Sequence, residues 1–195
     1  MAPARKHPHN ATFAELARLP EDTRAEIVHG EIVQRALPTM QHSRGQTGLA
    51  AFLRRYFDRR PGGRWPGGWW IGTEVEVEYE RHELFCHDLA GWRRDRVPEC
   101  PSGRPARIRP DWTCEILSTN RRRDMVDKFR VMQACSVPHY WIVDPEEKTL
   151  TVFRLEPHGY LVALAAATGE TVRAEPFDAL ELRIAVLLGD EDEDE

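Results

Sequence analysis

Long apolar runs are missing from this 195-residue chain. No stretch approaches 18 consecutive apolar residues, so no membrane-spanning helix is expected. The opening residues, MAPARKHPHNAT, have no apolar centre. No secretory signal is therefore expected, and a cytoplasmic location is. Cysteine is scarce, with only Cys86, Cys100, Cys114 and Cys135. None lies in a C-x-x-C pair, which argues against a zinc ribbon. A disulfide framework is not expected in a chain of this length without a secretion signal. The thiols read as free packing residues. Internal repeats and long linkers are also absent, and a single domain over residues 1–188 is expected.

Net positive charge is lacking too, but its absence misleads. Asp and Glu number 32 against 27 Lys and Arg, a net charge of −5. The last six residues, DEDEDE, are all acidic, and without them the balance is 27 against 26, or +1. Residues 189–195 are expected to form a disordered acidic tail. The body is near neutral and rich in Arg, with clusters at Arg93, Arg94 and Arg96, at Arg104, Arg107 and Arg109, and at Arg121, Arg122 and Arg123. Such clusters suit either phosphate contact or a solvated surface. Arg121, Arg122 and Arg123 are the candidate nucleic-acid contacts.

What is present reads as alternating elements. Thr12 and Glu15 form a capping box for a short helix. AEIV-HG-EIVQ reads as a hairpin turning at His29-Gly30. Leu49, Phe52, Leu53, Tyr56 and Phe57 have helical spacing. WWIGTEVEVEYE alternates as a half-exposed strand, with Val75, Val77 and Tyr79 facing one way. ELFCHDLAGW is a second strand, carrying Asp88 among apolar neighbours. After a Pro-rich loop come a strand over about 111–118, a helix over about 121–135 and the apolar strand HYWIVD. TLTVFRL and YLVALAAA continue as strands, and PFDALELRIAVLL closes the core as strand or short helix. The fold class is α+β, close to α/β: a mixed β-sheet flanked by helices.

The stretch RPDWTCEILS carries two acids in a core strand. Asp111, Thr113, Glu115 and Leu117 share a face. Buried acids need a partner or a metal. If the strands of Asp88 and Glu115 pair, their carboxylates flank one point, and two oxygen ligands plus waters and a substrate phosphate suit Mg²⁺. Lys128 returns to the level of Glu115: about 10 Å out along the strand is matched by about 10 Å back along the helix. Two carboxylates, a divalent ion and a lysine suit phosphodiester hydrolysis. Asp111 lies about 13 Å from Glu115 along an extended strand. It reads as a strand-entry residue that binds backbone or pairs with Arg, with a direct role left open. Taken singly, Asp88 also reads as a strand-end acid and Lys128 as a solvated residue paired with Asp124. Glu31 and His42 are further candidates, as structural residues or as part of the site.

The segments HDLAGWRRDR, PDWTCEILS, RRRDMVDK, VPHYWIVDPEEKTLTVFRL and VRAEPFDALEL resemble the Uma-two restriction endonuclease family, from about Glu26 to Leu187. That family is similar to the PD-(D/E)XK nuclease superfamily. The resemblance implies a restriction-endonuclease-like core and a Mg²⁺-dependent DNA endonuclease, with Mn²⁺ as a possible substitute. It places Asp88 and Glu115 as metal ligands and Lys128 as the catalytic lysine, because Leu117 fills the superfamily's usual lysine position. The Ile116 carbonyl is a further candidate ligand. Asp111, Glu31 and His42 match supporting positions. His87 stands where the family usually has Pro, and Ser118-Thr119-Asn120 shortens the family's loop. DNA is the expected partner, with no membrane. A homodimer is expected only by analogy with nucleases that cut duplexes. A non-catalytic nucleic-acid-binding or regulatory module that keeps the fold is the alternative.

Overall fold

The computed structural model of the protein describes residues 10–118 and 121–189. The expected acidic tail beyond Gly189 lies outside those residues, as do Thr119 and Asn120. Helix α1 (Phe13–Leu16) starts at Thr12, whose backbone N–H donates to the Glu15 carboxylate at 2.9 Å. Strands β1 (Ala25–Val28) and β2 (Glu31–Gln34) form the expected hairpin. His29 and Gly30 both take positive φ, 50° and 77°, as a two-residue type I′ turn requires. Helix α2 (Met40–Tyr56) is capped by Thr39, whose side chain accepts from the His42 N–H.

Strands β3 (Trp69–Glu80), β4 (Glu83–Arg93) and β5 (Trp112–Ile116) follow. The next helix, α3, is π-helical over Arg123–Lys128 and continues as α-helix over Phe129–Ala134. Then come β6 (His139–Asp144), β7 (Thr149–Glu156) and β8 (Gly159–Ala167). The closing segment is both of the things expected of it: a small ribbon of β9 (Thr171–Val172) and β10 (Leu182–Arg183), then α4 (Ile184–Leu187).

Among the described residues, eight strands form one sheet in the order β2-β1-β4-β5-β6-β7-β8, with β3 also on β4. Only β5 and β6 pair in parallel, because α3 carries the chain back between them. The sheet is therefore mixed. One face packs Trp112, Cys114, Ile116, Trp141 and Val143 against Leu49 and Leu53 of α2 and against Phe177 and Leu187. The other face packs Leu117, Tyr140 and Ile142 against Val131 and Met132 of α3. On the first face α4 crosses α2 closely at Gly48, where a Cβ would meet the Val186 carbonyl oxygen at 2.3 Å. Gly48→Ala is expected to cost about 1–3 kcal/mol through forced backbone movement. A lowered midpoint in thermal unfolding would register it, and an unchanged one would refute the close packing.

The sheet forks at β4. Strand β3 runs along one edge of β4 for nearly its whole length. On the other edge, β1 joins only at Leu84, through Ile27, and β5 only at Leu89–Gly91. Between those joints Cys86 turns its backbone to side chains instead of a strand. Its N–H donates to Glu26 at 3.0 Å, and its carbonyl accepts from Lys128 at 3.3 Å. Buried backbone groups need partners, and here charged side chains supply them.

Candidate active site

The fork gathers acids and bases from five elements around a cavity of about 40 Å³. Asp88 on β4 directly precedes Leu89 and Glu115 on β5 directly follows Cys114, so both lie just beyond the last paired residues of the two strands. Both are buried. Asp88 is fixed at one end, because its Oδ2 accepts the Ile116 N–H at 2.7 Å. Its Oδ1 meets His42 Nε2 at 3.2 Å and Arg35 Nη2 at 3.5 Å. Glu115 is held at both oxygens: Oε1 by His87 Nδ1, and Oε2 by Lys128 Nζ at 2.7 Å.

Lys128 serves as the hub of the cluster. Its side chain is 3% exposed, and its ammonium also contacts Glu26 at 3.1 Å and Asp124 at 3.5 Å. Burial alone would discharge it, but Glu115, Glu26 and Asp124 outweigh that and keep it cationic well beyond the usual lysine range. Burial pushes Glu115 up, to about 8, against the pull of Lys128. Burial likewise raises Asp124 to about 7. Glu26 goes the other way: Lys128 and Arg35 overcome its burial and hold it below the usual range. The cluster therefore retains acidic protons near neutral pH.

A second group of donors adjoins this one. His42 Nε2, a Glu74 oxygen and an Asp88 oxygen lie within 4.8 Å of one another, close enough to share one ion. Burial pulls the His42 imidazole down, but Asp88, Glu74 and the Ile116 carbonyl beside it leave its pKa raised. Glu74 reaches this point through the irregular position of β3, where its φ is +52°. Arg24 at 2.9 Å and Arg35 at 2.7 Å bind its carboxylate. Carboxylates, one imidazole and a nearby carbonyl form a donor set that suits a divalent metal ion.

Residues 11–186 match the family model described as "Uma2: Putative restriction endonuclease". The chain belongs to the Uma2 family. Its fold is similar to the crystal structure of a "putative nuclease belonging to DUF820 from Anabaena variabilis ATCC 29413". The TM-score is 0.69 at 23% identity, over 91% of this chain and 97% of the other. That likeness shows the fold: a mixed sheet flanked by helices. No curated protein is significantly similar in sequence. No helix among the described residues of this Uma2 protein is long and apolar enough to cross a membrane.

The Uma2 fold sorts the candidate residues. Asp88, Glu115, Ile116, Lys128 and His42 all line the cavity. Asp111 sits elsewhere, at the entry to β5. It accepts the Arg93 N–H at 2.8 Å and pairs with Arg96 at 2.7 Å, so it binds both backbone and arginine. Glu31 is exposed beside the hairpin turn and does not line the cavity. The glutamate that β1 and β2 bring to the site is Glu26. The three arginines also part company. Arg123 is buried against Glu26 and the Gln34 carbonyl, so it cannot meet a phosphate as placed. Arg121 is half-buried and pairs with Asp144, and Arg122 is exposed.

Four residues of the site escaped sequence reasoning: Glu26, Arg35, Glu74 and His87. Asp124 stands where expected, 3.5 Å from Lys128, but inside the cluster and not on a solvated face. Glu26 carried a readable signal, an acid inside the short apolar strand AEIV, the same sign that singled out Glu115. His87, at the family's usual Pro position, is fully buried between the Tyr79 hydroxyl at 2.7 Å and Glu115. Burial pulls its pKa well down. The neutral ring then donates from Nδ1 to Glu115 and accepts from Tyr79 at Nε2.

Proposed function

We propose that this Uma2 protein is a divalent-metal-dependent DNA endonuclease acting at the fork of β4. One observation carries the reading: Asp88, Glu115 and Lys128 come from three different elements, are buried, and line one small cavity. Asp88, Glu115 and the Ile116 carbonyl would hold Mg²⁺ or Mn²⁺, with His42 beside them. When bound, such an ion polarises the scissile phosphate and makes a water acidic enough to attack it.

The chain's own residues do the rest. The surrounding acids hold Lys128 on the cationic side, which suits it to stabilise the negative charge that builds on the phosphate. It also orients Glu115 through Oε2. His87 fixes the other oxygen, so the carboxylate cannot rotate. The Ile116 N–H does the same for Asp88. Arg122, on the exposed start of α3, remains available for a flanking phosphate.

Incubation with plasmid and linear DNA in Mg²⁺ or Mn²⁺ tests the proposal. Wild type is expected to cut both, and Asp88→Asn to lose cutting while staying folded, with an unfolding free energy within about 3 kcal/mol of wild type. Equal cleavage by Asp88→Asn would sink the assignment. Salt-dependent DNA binding with no cleavage under any divalent ion would favour a non-catalytic binding module instead. The charge balance of the site supports keeping that second reading, since Arg35, Arg123 and Lys128 already offset most of its acids.

A further inference from the structure

The cavity is too small for a phosphodiester: about 40 Å³ holds only a few waters. Beside it lies an open groove of about 430 Å³, bounded by Thr23, Glu76, Cys86 and Arg104 among others. Arg24 and Arg35 line both spaces, so they form the wall between them. Arg24 contacts only Glu74 among the acids of the site, while Arg35 contacts three. Its Nη1 lies 2.7 Å from Glu74, its Nη2 3.5 Å from Asp88 Oδ1 and its Nε 3.7 Å from Glu26. The grip is uneven, tight at Glu74 on the groove side and loose at Asp88 and Glu26 inside.

The Ile116 N–H fixes Asp88 Oδ2, so Oδ1 is the oxygen turned toward an ion's position. His42 and Arg35 both sit against Oδ1, at 3.2 and 3.5 Å. A divalent ion placed there would bring three positive charges together in a buried space, which is strongly unfavourable. Arg35 must yield. Its tight contact to Glu74 provides a pivot, and the groove provides room.

Resting on the nuclease reading above, we propose that Arg35 is a gate. In the metal-free protein its guanidinium takes the place of the divalent ion beside Asp88. When the ion enters, the guanidinium turns about Glu74 into the groove and binds a substrate phosphate there. A planar fork of donors suits that second task.

Mn²⁺ binding measured by calorimetry and by electron paramagnetic resonance tests the gate without relying on activity. Arg35→Met removes the charge and keeps the length. It is expected to bind Mn²⁺ at least about tenfold more tightly than wild type. Arg35→Lys keeps the charge and is expected to stay closer to wild type. Equal or weaker binding by folded Arg35→Met overturns the gate. If Arg35→Met is unfolded without metal, the gate requires that excess Mn²⁺ fold it, and failure to do so also overturns the proposal. Mn²⁺ binding by wild type with no gain in Arg35→Met sinks the gate alone. No Mn²⁺ binding by either protein sinks the nuclease reading with it.

Discussion

Lys128→Met is expected to destabilise the protein by about 3–5 kcal/mol, the cost of breaking a buried ion pair by removing one partner. The reason is the company Lys128 keeps. Glu115, Glu26 and Asp124 all lie within 3.5 Å of its ammonium. Without it Glu26 must take up a proton or stay charged in a dry space, Glu115 and Asp124 are pushed further toward their protonated forms, and the Cys86 carbonyl loses its donor. A lost nuclease activity in this variant therefore says little by itself about catalysis. The double variant Glu26→Gln/Lys128→Met separates the two effects. It removes one orphaned charge and is expected to recover at least about 1 kcal/mol, within the range for coupled neighbours. Urea unfolding of the four proteins in the cycle measures this. A loss below about 1 kcal/mol in Lys128→Met would mean that the buried charges are already neutral without it.

Glu115→Gln is expected to cut the cleavage rate about a thousandfold or more, since a metal supplies several kcal/mol of charge stabilisation and its ligand would be lost. The substitution preserves shape, and the amide still accepts from Lys128. A second readout follows from the raised carboxyls. Burial brings Glu115 to about 8 and Asp124 to about 7, so near neutral pH protons occupy the site. A carboxylate must lose its proton before it can bind a metal. Mn²⁺ affinity of wild type is therefore expected to rise as pH climbs through about 7 to 8 and to weaken below. In Glu115→Gln the binding is expected to be weaker and its pH dependence flatter. A wild-type affinity that stays constant from pH 6 to pH 9 would contradict the proton inventory of the cluster (the window spans both printed values).

Most of the architecture could be read in the chain because its signals are local. The capping box of Thr12 and Glu15, the His29-Gly30 turn and the alternation of Val75, Val77 and Tyr79 each occupy a few consecutive residues. The Asp88–Glu115–Lys128 grouping followed from strand spacing and helix rise. The resemblance led to the same three residues. Other features depend on distant parts of the chain. Nothing in β1 alone says that it meets β4 at one residue and then diverges, so the acid in AEIV is legible as buried but not as part of this site. Arg123 reads as surface by residue type, and only its contact with Glu26, 97 residues away, draws it inside. Glu74 sits in a strand whose pattern looks regular, and its positive φ has no sequence signature because glutamate rarely adopts one. Lys6, Lys128 and Lys148 are the only lysines of an arginine-rich chain. Arg and Lys are not interchangeable at a compact buried site, so a lysine kept amid arginines is informative.

The fork in β4 has a further consequence. An unpaired stretch of strand invites another strand to zip onto it, and sheets ordinarily close such gaps. Here Glu26 and Lys128 occupy the backbone groups of Cys86 that a neighbouring strand would use. With these charges in the way, β1 and β5 cannot slide together along β4. The cluster thus acts as a wedge, and the cavity exists because the sheet is kept from completing itself.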